Sequence, residues 1–189
     1  DLAIEIGPGM GVITNEAALK AAKVVAVEID KTLIPILKET LAEHDNVEVI
    51  NQDILKTDVN EIIQQYGEGR TAKNIKIIGN LPYYITSPII MMLLESRLPI
   101  DAITVMVQKE AAQRLCAPVG SRLSGAVTVA VDYYAEAKKL FDPNANITRA
   151  ELATLVNRIT GALDSGTSCK YSDVKKGTWY FGWVAAAAE

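Results

Sequence analysis

The sequence has few of the residues that build disulfide frameworks, metal centres and histidine-dependent active sites. Its two cysteines, Cys116 and Cys169, stand far apart in unrelated contexts and predict neither a disulfide framework nor a Cys-rich metal site. Its single histidine, His44, lies in a polar turn, so the sequence supports neither a catalytic triad nor a histidine-ligated metal. We therefore predict a reducing compartment, no bound metal and a chemistry that depends on other side chains.

Basic charge and long apolar runs are also scarce. The 189 residues carry 19 Lys plus Arg against 23 Asp plus Glu, and the net charge of −4 gives no global attraction to nucleic-acid phosphates. Any contact with RNA must then be local or come from segments outside this sequence. No apolar stretch approaches the roughly 20 residues that cross a bilayer, and no basic segment followed by an apolar run marks a signal peptide. These absences exclude a membrane span from the prediction.

Residues 2–140 alternate short apolar runs with longer segments of helical period, which is typical of βα units around a parallel sheet. The predicted strands are Leu2–Ile6, Val24–Ile29, Val47–Ile50, Ile75–Ile78 and Ala102–Val107. The predicted helices are Val12–Ala22, Lys31–Glu43, Val59–Tyr66, Ser87–Ser96 and Lys109–Ala117. Gly125–Tyr134 fits both a strand and a buried helix, and periodicity alone does not decide between them. Because Asp1 leads directly into an apolar strand, we expect an α/β fold that is truncated at its N-terminus.

A glycine-rich turn follows the first predicted strand. Gly7, Gly9 and Gly11 alternate with Pro8 and Met10 before a helix, and such a turn lets the backbone approach a nucleotide cofactor closely. The dinucleotide fingerprint requires a third glycine where Val12 stands, and no Gly-Lys-Ser/Thr triplet makes a P-loop. The turn therefore argues against NAD and against a nucleoside triphosphate.

Acidic residues follow the next two predicted strands. Glu28 ends the second strand 19 residues after Gly9, where a carboxylate accepts hydrogen bonds from both ribose hydroxyls of an adenosine. Asp53 comes just after the third strand. Because the carboxyl ends of parallel strands meet at one edge of the sheet, we expect these groups to share a ligand crevice.

The most specific motif is Asn80-Leu81-Pro82-Tyr83, directly after the fourth strand. The exocyclic amine of adenine is a poor nucleophile. An enzyme must therefore accept hydrogen bonds from its N–H groups and hold the nitrogen in line with an electrophile. The side-chain oxygen of Asn80 and the carbonyl of Leu81 can do this, while Pro82 restricts the backbone. Tyr83 offers a ring on which an unpaired base stacks for about 1–3 kcal/mol.

Together these motifs resemble the ribosomal-RNA adenine dimethyltransferase family. The residues that carry the resemblance span about residues 1–140 and are Glu5-Ile6-Gly7-Pro8-Gly9-Met10-Gly11, Val27-Glu28-Ile29-Asp30, Asn80-Leu81-Pro82-Tyr83-Tyr84-Ile85 and Gln108-Lys109-Glu110 with Arg114-Leu115. The resemblance implies a Rossmann-like, S-adenosylmethionine-dependent enzyme that dimethylates N6 of adenines in small-subunit rRNA. Pro8 and Leu81 are similar to the ribosome-biogenesis branch rather than the macrolide-resistance branch, which acts on the large subunit.

The resemblance also implies roles for individual residues. Gly7, Gly9, Gly11, Glu28, Asp53 and Asn80 would bind the cofactor, and Asn80, Leu81, Pro82 and Tyr83 would form the catalytic set. The implied partner is small-subunit rRNA or a pre-ribosomal subunit, met in the cytoplasm by a monomeric enzyme. Two departures from the family stand out. Its cofactor-closing Gln-Asn-Phe-Leu-type segment is absent, and Ser124 replaces the usual tyrosine before Gly125.

The sequence changes in character near residue 141. Residues 141–152 and the Tyr171-Ser172-Asp173-Val174 segment with Trp179 resemble S-layer homology modules, which anchor exported proteins to cell-wall polymers. This resemblance predicts a small helical appendage at residues 141–189, with a helix over 149–159 and Arg149 as a polymer-binding residue. An rRNA enzyme and a wall anchor act on opposite sides of a membrane, so we predict a composite junction. The alternative function is a wall-binding module that carries an inert methyltransferase fragment.

Overall fold

The computed structural model describes residues 1–67, 69 and 74–139. The chain divides into two units, residues 1–140 and residues 141–189. The second unit, with the predicted appendage and its helix over 149–159, lies outside the described residues.

Five strands form one parallel sheet. They are β1 (Leu2–Ile6), β2 (Lys23–Glu28), β3 (Val47–Asn51), β4 (Ile75–Asn80) and β5 (Ala102–Met106). Their order across the sheet is β3-β2-β1-β4-β5, and every neighbouring pair is parallel. This arrangement confirms the predicted α/β class, and the strand ends differ from the predicted ones by at most two residues.

In the part of the chain that the structure describes, six α-helices connect and follow these strands. They are α1 (Val12–Ala18), α2 (Ile34–Thr40), α3 (Val59–Tyr66), α4 (Thr86–Glu95), α5 (Lys109–Leu115) and α6 (Ala126–Tyr134). Helix α2 begins later than predicted because the Asp30 carboxylate accepts hydrogen bonds from the backbone N–H and the hydroxyl of Thr32, at 2.8 and 2.7 Å. This turn occupies the chain before Ile34, and Pro35 then fits in the first helical turn, where no backbone donor is needed.

The segment that periodicity left open is helix α6. Val131 is buried and Val127 packs against the same core, whereas the intervening Val129 is 51% exposed. A strand would place all three on one face, so burial at a spacing of four residues identifies the helix.

The two faces of the sheet differ in their cores. Leu2, Ile4 and Ile6 of β1 belong to the larger core, which also contains buried residues of α3, α4 and α6. The alternate residue Ala3 packs on the opposite face, with Val24 and with Ala18 of α1. Glu5 shares that face by the two-residue period of the strand and is fully buried.

The strand order creates a crevice at one edge of the sheet. Strand β1 lies between β2 and β4, because the chain runs from β1 through β2 to β3 and then crosses back to place β4 on the other side of β1. In open parallel sheets ligands bind at such a switch point, outside the carboxyl ends of the strands. Within the described residues, no helix has both the length and the apolarity required to cross a membrane.

Candidate functional site

The predicted cofactor-binding residues lie at the carboxyl edge of the sheet. Gly7 directly follows β1, Glu28 ends β2, Asp53 comes two residues after β3, and Asn80 ends β4. Hydrogen bonds continue between these loops, since the Gly7 N–H donates to Val27 O and the Gln52 N–H donates to Glu28 O, both at 3.0 Å. The fold therefore brings together, at the switch point, four groups that are far apart in the sequence.

The glycine turn needs glycine for two different reasons. Gly7, Gly9 and Gly11 all have left-handed backbone angles, with φ of 69°, 59° and 88°. A Cβ on Gly11 would lie 3.1 Å from Leu37 Cδ2 and 3.2 Å from Thr40 Oγ1, so this residue lets α1 and α2 pack closely. A Cβ on Gly7 or Gly9 would meet no described atom within 4 Å. These two residues thus leave bare backbone at the crevice, as close approach of a nucleoside requires.

Two backbone donors hold the Glu28 carboxylate in place. Glu28 Oε1 accepts a hydrogen bond from the Asp30 N–H at 2.8 Å, and Oε2 accepts one from the Gly9 N–H at 3.3 Å. The residue is only 5% exposed. Each carboxylate oxygen can accept more than one hydrogen bond, so both keep capacity for the hydroxyls of a ribose. This geometry also connects the acidic residue directly to the glycine turn.

Polar residues after β3 complete this side of the crevice. The Asp53 carboxylate accepts a hydrogen bond from the Leu55 N–H at 3.0 Å and caps a short 3-10 turn over Ile54–Lys56. Asn51, which sequence reasoning missed, donates from Nδ2 to the carbonyls of Glu28 and Ile29 at 2.8 and 3.3 Å. A polar residue that ends an apolar strand was the available signal for Asn51. Its contacts fix the backbone that follows β2.

The Asn80-Leu81-Pro82-Tyr83 motif is rigid in its backbone and open in its polar groups. The Leu81 N–H donates to Met106 O at 2.9 Å and its side chain is buried, which fixes the direction of the backbone at the end of β4. Pro82 O accepts hydrogen bonds from the Ile85 N–H at 3.2 Å and from Thr86 Oγ1 at 2.9 Å. The exposed Asn80 side chain makes no hydrogen bond with another described residue. Its amide is therefore open to a ligand.

Two consecutive tyrosine rings project from the short turn over Tyr83–Ile85. Tyr83 is 57% exposed and Tyr84 is 80% exposed, although tyrosine usually covers more of its ring in a folded domain. An exposed ring beside an unpaired amide is suited to stacking on a flat heterocycle.

Gly79, a second residue that sequence reasoning missed, sets the position of Asn80. It pairs with Ile6 in the register between β1 and β4. A Cβ there would lie 2.8 Å from Ile6 O, which is a backbone atom that cannot turn aside. Glycine therefore permits β4 to lie close to β1 just before the motif. The position of Gly79 immediately before Asn80 was the feature of the sequence that could have identified it.

Glu5 is a buried acid beneath the glycine turn. Neither of its carboxyl oxygens has a hydrogen-bond partner among the described residues, and the buried Thr14 hydroxyl likewise has none in good geometry. Burial raises the pKa of Glu5 above its ordinary value, and the nearby Thr14 hydroxyl offsets part of that rise. Sequence reasoning gave Glu5 no separate role, although an acid inside an apolar strand was visible. Within the described part of the chain, no group of three or more His, Cys, Asp or Glu could hold a metal ion.

The crevice thus combines bare glycine backbone, a fixed carboxylate and an open amide. The sequence model of the ribosomal RNA adenine dimethylase family matches residues 1–156. The chain belongs to the ribosomal RNA adenine dimethylase family. The match continues past residue 141, where we predict a junction, and it includes Arg149. The S-layer resemblance of residues 141–189 stays a prediction from sequence alone.

Two ribosomal RNA small subunit methyltransferases align with most of this chain. It is 48% identical over 161 residues to the ribosomal RNA small subunit methyltransferase A of Alkaliphilus oremlandii, across 84% of this chain and 55% of that protein. It is 49% identical over 173 residues to the protein of the same name from Lachnoclostridium phytofermentans, across 90% of this chain and 59% of that protein. The chain therefore spans little more than half the length of these relatives.

A solved structure is similar to this fold. The dimethyladenosine transferase from Plasmodium falciparum superposes with a TM-score of 0.57 at 30% identity, over 70% of this chain and 44% of that one. The likeness supports the α/β fold described above. The roles of individual site residues stay predictions.

Proposed function

We propose that this chain is the catalytic part of an rRNA adenine N6,N6-dimethyltransferase that uses S-adenosylmethionine and acts on small-subunit rRNA. The observation that carries the proposal is the position of Asn80-Leu81-Pro82-Tyr83 at the end of β4, beside the crevice that contains the glycine turn and Glu28. The matched relatives named for small-subunit rRNA methylation support the choice of substrate.

The crevice residues fit S-adenosylmethionine. Gly7 and Gly9 leave room for close approach, Glu28 would accept hydrogen bonds from the ribose hydroxyls, and Asp53 would contact the cofactor from the loop after β3. Gly11 contributes by holding the turn against α2, and Asn80 would contact the cofactor from the end of β4. The cofactor would supply an electrophilic methyl group on a sulfonium sulfur.

Asn80, Leu81 and Tyr83 act on the target base. The Asn80 side-chain oxygen and the Leu81 carbonyl accept hydrogen bonds from the two N–H groups of the adenine amine. These hydrogen bonds hold the amine nitrogen towards the methyl group. Tyr83 stacks on the base and Pro82 keeps the turn stiff. With S-adenosylmethionine bound, this nitrogen would bond to the methyl carbon as the carbon–sulfur bond breaks, and one amine proton would leave to solvent. Positioning and exclusion of water supply most of the catalysis in this proposal.

The proposal includes a small-subunit target, a cytoplasmic location and a monomeric enzyme. Pro8 and Leu81 support the small-subunit branch through the motif forms described above. The wall-binding alternative for residues 141–189, with Arg149 as its polymer contact, has only sequence pattern in its favour, so we do not adopt it as a second function.

The test is transfer of labelled methyl groups to unmethylated small ribosomal subunits. Asn80→Ala is expected to abolish transfer while the affinity for S-adenosylmethionine falls less than about tenfold, because Glu28 and Asp53 remain. Asn60→Ala on α3 is the matched control, since it removes an exposed asparagine away from the crevice. Transfer by Asn80→Ala at the parent rate, or a parent that labels only cytosine or protein, would refute the adenine-N6 assignment.

A further inference from the structure

A buried carboxyl without a partner lies beneath the glycine turn. Glu5 of β1 stands two residues before Gly7 and is fully buried. Neither of its carboxyl oxygens, nor the buried hydroxyl of Thr14 on α1, has a hydrogen-bond partner among the described residues. An isolated acid in the interior costs stability, whereas an apolar residue of similar size would pack there without that cost. Packing alone therefore does not account for an acid at this position.

No described cation pairs with the Glu5 carboxyl. The charged residues on the neighbouring strands and helices of its sheet face are Glu16 on α1, Lys23 and Glu28 on β2, Lys38 and Glu39 on α2, and Lys76 on β4. Lys23 and Lys76 pair with carboxylates at the amino end of the sheet, and Lys38 is exposed. Among the described residues, Glu5 therefore has no countercharge, and a ligand can supply one.

The charge state of Glu5 depends on what enters the crevice. Burial raises the pKa of Glu5, so over a range of pH above the ordinary value of 4.5 the empty chain keeps this carboxyl neutral. A positive charge brought near a buried carboxyl favours the ionised form, because screening by solvent is weak in the interior. S-adenosylmethionine carries such a charge on its sulfonium sulfur. S-adenosylhomocysteine, which remains after methyl transfer, has a neutral sulfur in its place and is otherwise equally charged.

We propose that Glu5 makes the crevice prefer the cationic methyl donor over the neutral product. Its carboxyl releases a proton when the donor binds and keeps the proton when the product binds. The bare backbone of Gly7 and Gly9 supports this role, since it lets the cofactor approach the end of the strand that carries Glu5. Glu5 is thus a residue that determines specificity through charge, without touching the cofactor. This inference rests on the proposed use of S-adenosylmethionine.

The test is calorimetric titration of the full chain with S-adenosylmethionine and with S-adenosylhomocysteine at several values between pH 5 and 8. A neutral Glu5 must lose its proton for the preference to appear, so the affinity for the donor should rise with pH by at most about tenfold per pH unit. The affinity for the product should change less, and the ratio of the two affinities should therefore rise about three- to tenfold. Glu28 would contact the ribose that both ligands share, so its effect cancels in this ratio. Heats measured in two buffers of different ionisation enthalpy should show release of up to about one proton for the donor only.

Three variants assign the proton to Glu5. Glu5→Gln keeps the size of the neutral acid, so its affinity ratio should stay constant across the pH range and its donor binding should release no proton. Thr14→Val removes the hydroxyl that partly offsets the raised pKa of Glu5, so the rise in the ratio should move to higher pH. This second variant keeps the carboxyl and tests the inference even where Glu5→Gln does not fold. His44→Gln is the matched control, because His44 bonds to Asn15 on α1 at 2.6 Å and histidine ordinarily titrates in this range.

The possible failures are distinguishable. A parent ratio that does not change with pH, or a rise that persists in Glu5→Gln, overturns the role of Glu5 and leaves the cofactor assignment intact. An equal rise for donor and product also overturns it, since the charge sensed would then be common to both ligands. Loss of the rise in His44→Gln would assign the proton to the histidine instead. A parent chain that binds neither ligand at any pH refutes the proposed function itself.

Discussion

Replacement of Glu28 tests the cofactor crevice most directly. Both of its carboxylate oxygens accept backbone hydrogen bonds, at 2.8 Å from Asp30 N and 3.3 Å from Gly9 N. Glu28→Ala removes the charged group that we propose as acceptor for the ribose hydroxyls, and a hydrogen bond to a charged group is worth about 1.5–3 kcal/mol. We therefore expect the affinity for S-adenosylmethionine to fall about 10- to 150-fold in calorimetric titration.

The glutamine variant sharpens this expectation. A glutamine at position 28 has one acceptor oxygen and one amide NH2 group, so this NH2 group must face the N–H of either Gly9 or Asp30. Because two donors cannot pair, we expect Glu28→Gln to lose nearly as much affinity as Glu28→Ala. Glu48→Gln on β3 is the control, since Glu48 is half exposed and pairs only loosely with Lys23, at 3.9 Å. Unchanged affinity in both Glu28 variants, with melting temperatures like that of the parent, would remove Glu28 from the site.

Substitutions at three other positions test separate parts of the site. Tyr83→Phe should keep most methyl transfer, whereas Tyr83→Ala should lose about 1–3 kcal/mol of base stacking. The alanine variant should raise KM for the ribosomal subunit without changing cofactor affinity. Equal kinetics for the two variants would contradict stacking. The pKa of Glu5 is raised in the folded state, so above its ordinary value of 4.5 the folded chain binds more protons than the unfolded chain. The free energy of unfolding should therefore fall as pH rises from there. Glu5→Gln should abolish that fall in urea titrations at pH 5 and 8. A slope in the glutamine variant like that of the parent would assign the pH dependence to other groups. Gly79→Ala places a Cβ 2.8 Å from Ile6 O and should cost about 1–3 kcal/mol of stability. It should also remove most of the transfer rate. A variant as stable and active as the parent would show that β1 and β4 separate easily at this point.

The sequence predicted the elements and the edge of the sheet where the site lies, because each depends on local pattern. Apolar runs of β-branched residues mark the strands, and the glycine turn, Glu28 and Asn80 each follow one of them. Strand order was not predicted, since nothing in the sequence of β1 says that it lies between β2 and β4. Contacts across the sheet decide that order, and they join residues that are distant along the chain.

The residues that sequence reasoning missed act through neighbours that only the fold supplies. Gly79 matters because Ile6 O lies beside it, and Asn51 matters because the carbonyl of Glu28 is within reach of its amide. The state of α6 also depended on tertiary contacts, since Val127 and Val131 meet a core that β1 and α4 provide. The link between α5 and α6 required the same information, because Thr128 Oγ1 donates to Arg114 O and the sequence does not display that these two segments are close.

The hydrogen bonds that continue past the ends of β1 and β3 divide the site into two mechanical parts. The amide protons of Gly7 and Gln52 are held by the backbone of β2, so we expect them to exchange with solvent only when the sheet itself opens. The Tyr83 and Tyr84 rings project from a turn of three residues and can reorient without breaking the sheet. The edge of the sheet that carries Gly7 and Glu28 therefore stays fixed while the exposed rings after β4 change position, so the two parts of the candidate site differ in stiffness.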